Sequence, residues 1–331
     1  MTDLKTKYLG LELNSPVIAA SSGMTRTSHL IEELERKGAG AVVLKSIFEE
    51  EIAAELKSNM AAASKPTTVY PEIYDAFDYS DMEDSVSKYL FLIQEAKKNT
   101  KIPIIGSINC VSSDEWTLFA KRIQDAGADA IELNMFILPS DFSRSGEENE
   151  KVYFDVIEKV KKVVSIPVAL KISYYFSNLG SMIQRLSQTG IDGLVLFNRF
   201  FSPDIDIDNM KIIPSNIYST PADLSISLRW IAIMAQRVKC DLAASTGIHD
   251  GAAVVKQLLA GANAVQVASA LYKNGFEKIS EMNAFLKSWM EEHGYESISE
   301  FRGKMSQAAT KNPAAYERVQ FMMHFAGKGV R

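Results

Sequence analysis

Cysteine is nearly missing from this sequence: its 331 residues include two, Cys110 and Cys240. Neither belongs to a closely spaced pair, which excludes a disulfide framework or a structural zinc site as the organising element. Both read as small buried thiols. Long apolar runs are missing as well. No stretch reaches the roughly 18 apolar residues of a membrane span, and Met1-Thr2-Asp3-Leu4-Lys5 lacks the charged leader and apolar stretch of an export signal. No membrane partner is expected, and cytoplasmic residence is the default. Nor is there an excess of charge of one sign. The formal net charge is −5, and the largest basic grouping, Lys159, Lys161 and Lys162, offers no surface that could track phosphates, which excludes nucleic acid as an expected partner.

What is present is ample core material, 47% hydrophobic and 23% charged, as in an ordinary globular protein. Short apolar runs rich in β-branched residues alternate with amphipathic stretches, the pattern of βα units around a parallel sheet buried on both faces. Eight such runs occur, at 17–20, 41–44, 104–107, 130–133, 168–172, 193–197, 242–245 and 264–267. Eight strands in βα order predict a closed (β/α)8 TIM barrel, one domain over 1–331. Lys37-Gly38, Ala126-Gly127, Thr189-Gly190 and Ala260-Gly261 read as helix exits before four of the strands. Ile102-Pro103 and Ile166-Pro167 open two others. Amphipathic helices are expected at 114–125 and, beyond the last strand, at 276–293 and 297–305. The long segment 48–84 reads as an elaborated loop over the active face, and 200–223 as a second irregular stretch.

In such barrels chemistry gathers at the C-terminal ends of the strands. These ends offer Ala20-Ser21-Ser22, Lys45-Ser46, Asn109-Cys110, Asn134, Lys171, Asn198-Arg199, Ser245-Thr246-Gly247 and Ala268-Ser269. Lys45 and Lys171 stand in otherwise apolar strands, where a lysine needs a partner. That partner is either a bound anion or, for Lys171, an internal ion pair with Glu132. The small residues ending strands seven and eight leave backbone N–H groups open to a phosphate, although a tight turn would need small residues in any case.

Several segments resemble motifs of the dihydroorotate dehydrogenase family: Asn14-Ser15-Pro16-Val17, Gly38-Ala39-Gly40-Ala41, Leu44-Lys45-Ser46, Ile131-Glu132-Leu133-Asn134, Ala169-Leu170-Lys171, Thr246-Gly247-Ile248 and Ala264-Val265-Gln266-Val267-Ala268-Ser269. The resemblance spans nearly the whole chain. It implies an FMN-dependent oxidoreductase that takes dihydroorotate to orotate in pyrimidine biosynthesis, with the flavin ring near Ala20, Ser21, Lys45, Ser46, Asn134 and Lys171 and the phosphate at Thr246, Gly247, Ala268 and Ser269. Lys171 would face the N1 and O2 edge of the ring. A small anionic substrate would be held by Lys45, Asn134 and Asn198, and the assembly would be a homodimer or include an electron-transfer partner subunit.

The family's catalytic Cys or Ser has no counterpart, since Ile137, or Leu138 with one insertion, takes its place. Cys110 and Ser140 are the substitute candidates, followed by Asp141, Ser143, Tyr174 and Tyr175. Arg199, Ser22 and Thr246 also replace small residues or glycines of the family pattern. Two other readings stay open: a flavin-binding sensor or partner subunit that has lost the chemistry, and a flavin-free aldolase using Lys171 as a Schiff-base amine.

Overall fold

The structure is a computed structural model and describes residues 2–48, 85–109, 116–199 and 202–317. Eight parallel strands close into a barrel: β3 (Val17–Ala19), β4 (Ala41–Val43), β6 (Ile104–Asn109), β7 (Ala130–Asn134), β8 (Val168–Ile172), β9 (Gly193–Leu196), β12 (Asp241–Ser245) and β13 (Ala264–Val267). The hydrogen-bonded order runs β4-β3-β13-β12-β9-β8-β7-β6, and β4 pairs with β6 to complete the circle. A short strand, β5 (Ile47–Phe48), adds to β6. The expected (β/α)8 architecture is therefore present, and each of the eight strands falls on one of the β-branched runs. The four expected exit glycines, Gly38, Gly127, Gly190 and Gly261, all have positive φ, the backbone state that ends a helix and returns the chain to the sheet.

Two apolar regions hold the barrel together. The larger lies between the strands and the surrounding helices. The smaller fills the lower barrel with Ile18, Val43, Ile105, Ala130, Ala169, Val195, Ala243 and Ala264. A hairpin of β1 (Thr6–Tyr8) and β2 (Leu11–Leu13) plugs this lower end by inserting Tyr8, Leu9 and Leu13. Gly193 makes room for the plug: a Cβ there would stand 2.5 Å from Leu9 Cδ2 and 3.3 Å from Tyr8 Oη. The backbone N–H of Leu9 donates to Asp241 (2.8 Å), which ties the plug to the rim.

Two expectations need correction. The stretch 200–223 is not irregular throughout, because Ser202–Asp206 and Lys211–Ser215 (β10 and β11) form an antiparallel hairpin. Its turn is built by Asp206, whose carboxylate accepts from the N–H groups of Asp208 and Asn209, both at 3.0 Å. The stretch 297–305 is not a helix but a single 3-10 turn, Ile298–Glu300, since Gly303 at φ +76 turns the chain. The helix expected at 276–293 is found at Glu277–Glu292. The helix expected from Asp114 is described from Trp116 to Asp125, and most of the elaborated loop lies outside the described residues. Among the described residues no helix is long and apolar enough to cross a membrane, and no group of His, Cys, Asp and Glu could hold a metal ion.

Candidate active site

A cavity of about 460 Å³ opens at the C-terminal ends of β3, β8, β9, β12 and β13, a size suited to a small organic ligand. It brings together seven of the expected cofactor residues, Ala20, Ser21, Lys171, Thr246, Gly247, Ala268 and Ser269, with Asn198 of the expected substrate set. Ser46 and Asn134 stand directly behind this lining. Ser46 Oγ is 3.0 Å from Ser21 Oγ and 2.7 Å from Ser107 Oγ. Asn134 Oδ1 accepts a 2.8 Å hydrogen bond from Asn198 Nδ2.

The two lysines separate. Lys171 lies inside β8 and is 7% exposed, with its ammonium donating to Gln266 Oε1 at 2.9 Å and standing 3.7 Å from Glu132 Oε1. The internal ion pair weighed for it is therefore formed, while Lys171 still lines the cavity. Lys45 was expected to be a buried strand lysine and is instead exposed, because β4 ends at Val43.

At the opposite wall Thr246 adopts φ +77 and Gly247 φ +79. Thr246 Oγ1 donates to the Phe197 carbonyl at 3.0 Å, which helps hold a β-branched residue in a left-handed state that glycine would adopt freely. Ala268, at the start of the helix Ser269–Asn274, makes no side-chain cap, so the first N–H groups of that helix are left for another acceptor. Ser269 Oγ accepts from Ser219 N (3.0 Å), and Ser219 Oγ lies 3.0 Å from His249 Nε2. Burial, and then the Lys273 ammonium, hold the His249 pKa below the ordinary histidine value.

Sequence reasoning missed Gln266 as a site residue, and with it Tyr218, Ser219 and Tyr272, which line the same cavity. Tyr272 Oη accepts from Gly23 N (2.7 Å), and its ring lies 5.4 Å from that of Tyr218. The only signal for these aromatics was their nearness in sequence to Ser269 or to the start of the helix Leu224–Met234. Arg199 also reaches the cavity, its guanidinium held by the carbonyls of Asn216 and Ile217.

Among the described residues, the candidate bases are not gathered in the cavity. Ser140 and Asp141 are exposed on the loop after β7, and Asp141 accepts from Ser143 instead (2.6 Å). Ile137 packs against the outer core, with its N–H donating to Tyr153 Oη at 3.1 Å. Tyr174 and Tyr175 stack on each other at 4.9 Å. Burial, followed by the neighbouring Tyr175, raises the Tyr174 pKa. Cys110 lies outside the described residues, and burial pushes the Cys240 thiol up to about 12.

A closed parallel barrel with a buried lysine, paired asparagines and two small-residue turns at its C-terminal mouth defines the class, a (β/α)8 barrel with a small-ligand site at its mouth. The chain belongs to the dihydroorotate dehydrogenase family, whose model matches residues 3–290. It is similar to the protein named dihydroorotate dehydrogenase B (NAD(+)), catalytic subunit, from Thermoplasma volcanium, with 28% identity over 92% of this chain and 98% of the relative. The protein of the same name from Methanocaldococcus jannaschii is 30% identical over 86% of this chain and 94% of the relative. That from Pyrococcus abyssi is 28% identical over 91% and 98%.

Proposed function

We propose that the whole chain, 1–331, forms one domain that binds FMN across the barrel mouth and oxidises a CH–CH bond of a small anionic substrate, with dihydroorotate the nearest candidate. The observation that carries this reading is the placement of Lys171 on the cavity floor beside the hydrogen-bonded pair Asn134 and Asn198. The donor set fits the cofactor: a cation for the ring edge, hydroxyls of Ser21 and Ser46, and the uncapped helix start at Ala268 and Ser269 with Thr246-Gly247 for the phosphate. When bound, FMN supplies a hydride acceptor.

The chain's own groups account for binding and orientation. Asn134 Oδ1 is taken by Asn198, and Asn198 Oδ1 accepts from Arg199 N at 2.7 Å. With both amide oxygens engaged, the pair presents N–H donors, which suit the carboxylate and carbonyl oxygens of an anionic substrate. Exposed Lys45 adds a cation at the mouth. Asn109, at the end of β6 and 7% exposed, pairs in the sheet with Asn134.

Anaerobic visible spectra before and after adding dihydroorotate test the proposal. A flavin band that bleaches supports it; a protein that carries no flavin sinks it. A second reading, a flavin-binding protein without this chemistry, is favoured by Ile137 being packed away from the cavity. Its signature is a yellow protein that dihydroorotate leaves yellow. Relatives named as catalytic subunits support a partner subunit that passes electrons to NAD(+). We infer a homodimer of this chain as the core of that assembly, and light scattering of the purified chain decides whether it is formed.

A further inference from the structure

Above the apolar plug, the barrel interior changes character. Glu132 of β7, Lys171 of β8 and Gln266 of β13 all point inward and are 1%, 7% and 2% exposed. They form one chain of contacts across the barrel. Gln266 Nε2 donates to Glu132 Oε2, Lys171 Nζ donates to Gln266 Oε1 at 2.9 Å, and Lys171 Nζ stands 3.7 Å from Glu132 Oε1. That last oxygen has no hydrogen-bond partner. A carboxylate accepts only, so it turns the Gln266 NH₂ toward itself and the Gln266 carbonyl toward the lysine. The amide therefore acts as a spacer, keeping the ammonium off the carboxylate and on the cavity floor.

A buried carboxylate with one hydrogen bond and one ammonium at 3.7 Å is a costly arrangement. It also has an electrostatic effect on whatever occupies the cavity. The cation facing the ligand is partly offset from behind by a fixed negative charge, and in a water-poor interior that offset is weakly screened.

We propose that Glu132 and Gln266 are positioning residues that set the reduction potential of the cofactor held over Lys171. Glu132 moderates the lysine's charge, and Gln266 fixes how far that charge extends into the cavity. This rests on the FMN reading above. The two residues act in opposite directions. Removing the carboxylate leaves Lys171 uncompensated and favours the reduced, more negative cofactor. Removing the amide lets the ammonium close the 3.7 Å gap onto Glu132, withdraws the charge and disfavours reduction. A role confined to barrel stability predicts neither shift.

The experiment is a redox titration of the FMN-loaded full chain against dyes of known potential, for wild type, Glu132→Gln, Gln266→Leu, Lys171→Met and the double variant Glu132→Gln/Lys171→Met. Glu132→Gln is expected to raise the ratio of reduced to oxidised cofactor at a fixed ambient potential about tenfold, equivalent to about 30 mV for a two-electron couple. Gln266→Leu and Lys171→Met should both lower it, and Glu132→Gln should have little effect once Lys171 is gone. Should Glu132→Gln fail to fold, Gln266→Leu still decides, because it keeps both charges and removes only the amide between them. Unshifted potentials in a variant that binds FMN, or shifts of the same sign in Glu132→Gln and Gln266→Leu, overturn the inference and leave the FMN reading standing. Wild-type protein that takes up no FMN overturns both.

Discussion

Asn198 donates a 2.8 Å hydrogen bond to Asn134, joining the ends of two strands that are separated in the barrel by β8 alone. The bond orients both amides, so each residue depends on the other for its donor geometry. Asn134→Ala and Asn198→Ala should each lower kcat/KM for dihydroorotate about 10- to 100-fold, corresponding to about 1.4 to 2.8 kcal/mol. Flavin content should be retained in Asn198→Ala, whose side chain is assigned to substrate alone. The double variant should lose less than the product of the two single effects, because the singles already break one shared unit. Full independence of the two effects in steady-state kinetics would contradict the pairing.

Gly193 tests the plug. With a Cβ predicted to stand 2.5 Å from Leu9 Cδ2, Gly193→Ala must push the N-terminal hairpin downward, at a cost of about 1–3 kcal/mol for overpacking. Urea denaturation measures it. Gly146→Ala is the control, since nothing lies within 4 Å of a Cβ at that helix start; equal effects from the two substitutions would mean that the plug is not tightly packed.

Gly247 is constrained twice, by φ +79 and by a Cβ position 2.1 Å from the backbone nitrogen of Leu224. Gly247→Ala therefore either shifts the turn or strains it, with about 1–3 kcal/mol at stake. The expected result is protein purified with less FMN and with a lower Tm. Normal flavin content would remove this turn from the phosphate site.

The pH dependence at His249 has a definite sign. Burial and Lys273 hold its folded pKa below the ordinary value, so the unfolded chain takes up the proton first as pH falls. The stability contributed by the neutral ring is complete above the unfolded pKa and is lost as pH drops from there toward the folded pKa. His249→Gln should flatten the fall in unfolding midpoint between about pH 7 and pH 5, the interval in which a histidine of ordinary pKa titrates. Superimposable wild-type and variant profiles would show that the ring carries no such linkage.

Ile137, which with Leu138 was the position expected to match the family's base, packs on the outer core with its N–H bound to Tyr153. Ile137→Cys should cost no more than about 1 kcal/mol, since the side chain is only half-buried, and yield no gain in dihydroorotate turnover. A thiol that does restore turnover would place the loop over the cavity during catalysis.

The barrel strands were legible because each is a compact apolar run, most of them rich in β-branched residues and most preceded by glycine or proline punctuation. The N-terminal plug was not. Thr6–Tyr8 and Leu11–Leu13 are too short to show a period, and their burial depends on Gly193 and Asp241, far along the chain. The β10–β11 hairpin was hidden by Pro203 and Pro214, which pair with each other across it but read as strand breakers. At the site, sequence could name Lys171 but not distinguish its setting from that of Lys45. One lies in the middle of a strand and the other two residues past a strand end, a boundary set by pairing across the sheet. Gln266 was visible only as a letter in a motif. Its contacts with Lys171 and Glu132 join residues 95 and 134 positions apart, and only closure of the barrel brings them together.

The plug at the barrel floor imposes an order on assembly. Tyr8 and Leu9 need the space left by Gly193 and the carboxylate of Asp241, and Thr6 Oγ1 donates to the Asn263 carbonyl at 2.9 Å. The plug residues therefore pair with segments 232 and 257 positions further along the chain. Such long sequence separations slow folding. The hairpin can pair with itself, but its seating in the barrel floor waits on the strands that receive it, so closure of the lower barrel and docking of the plug are one event.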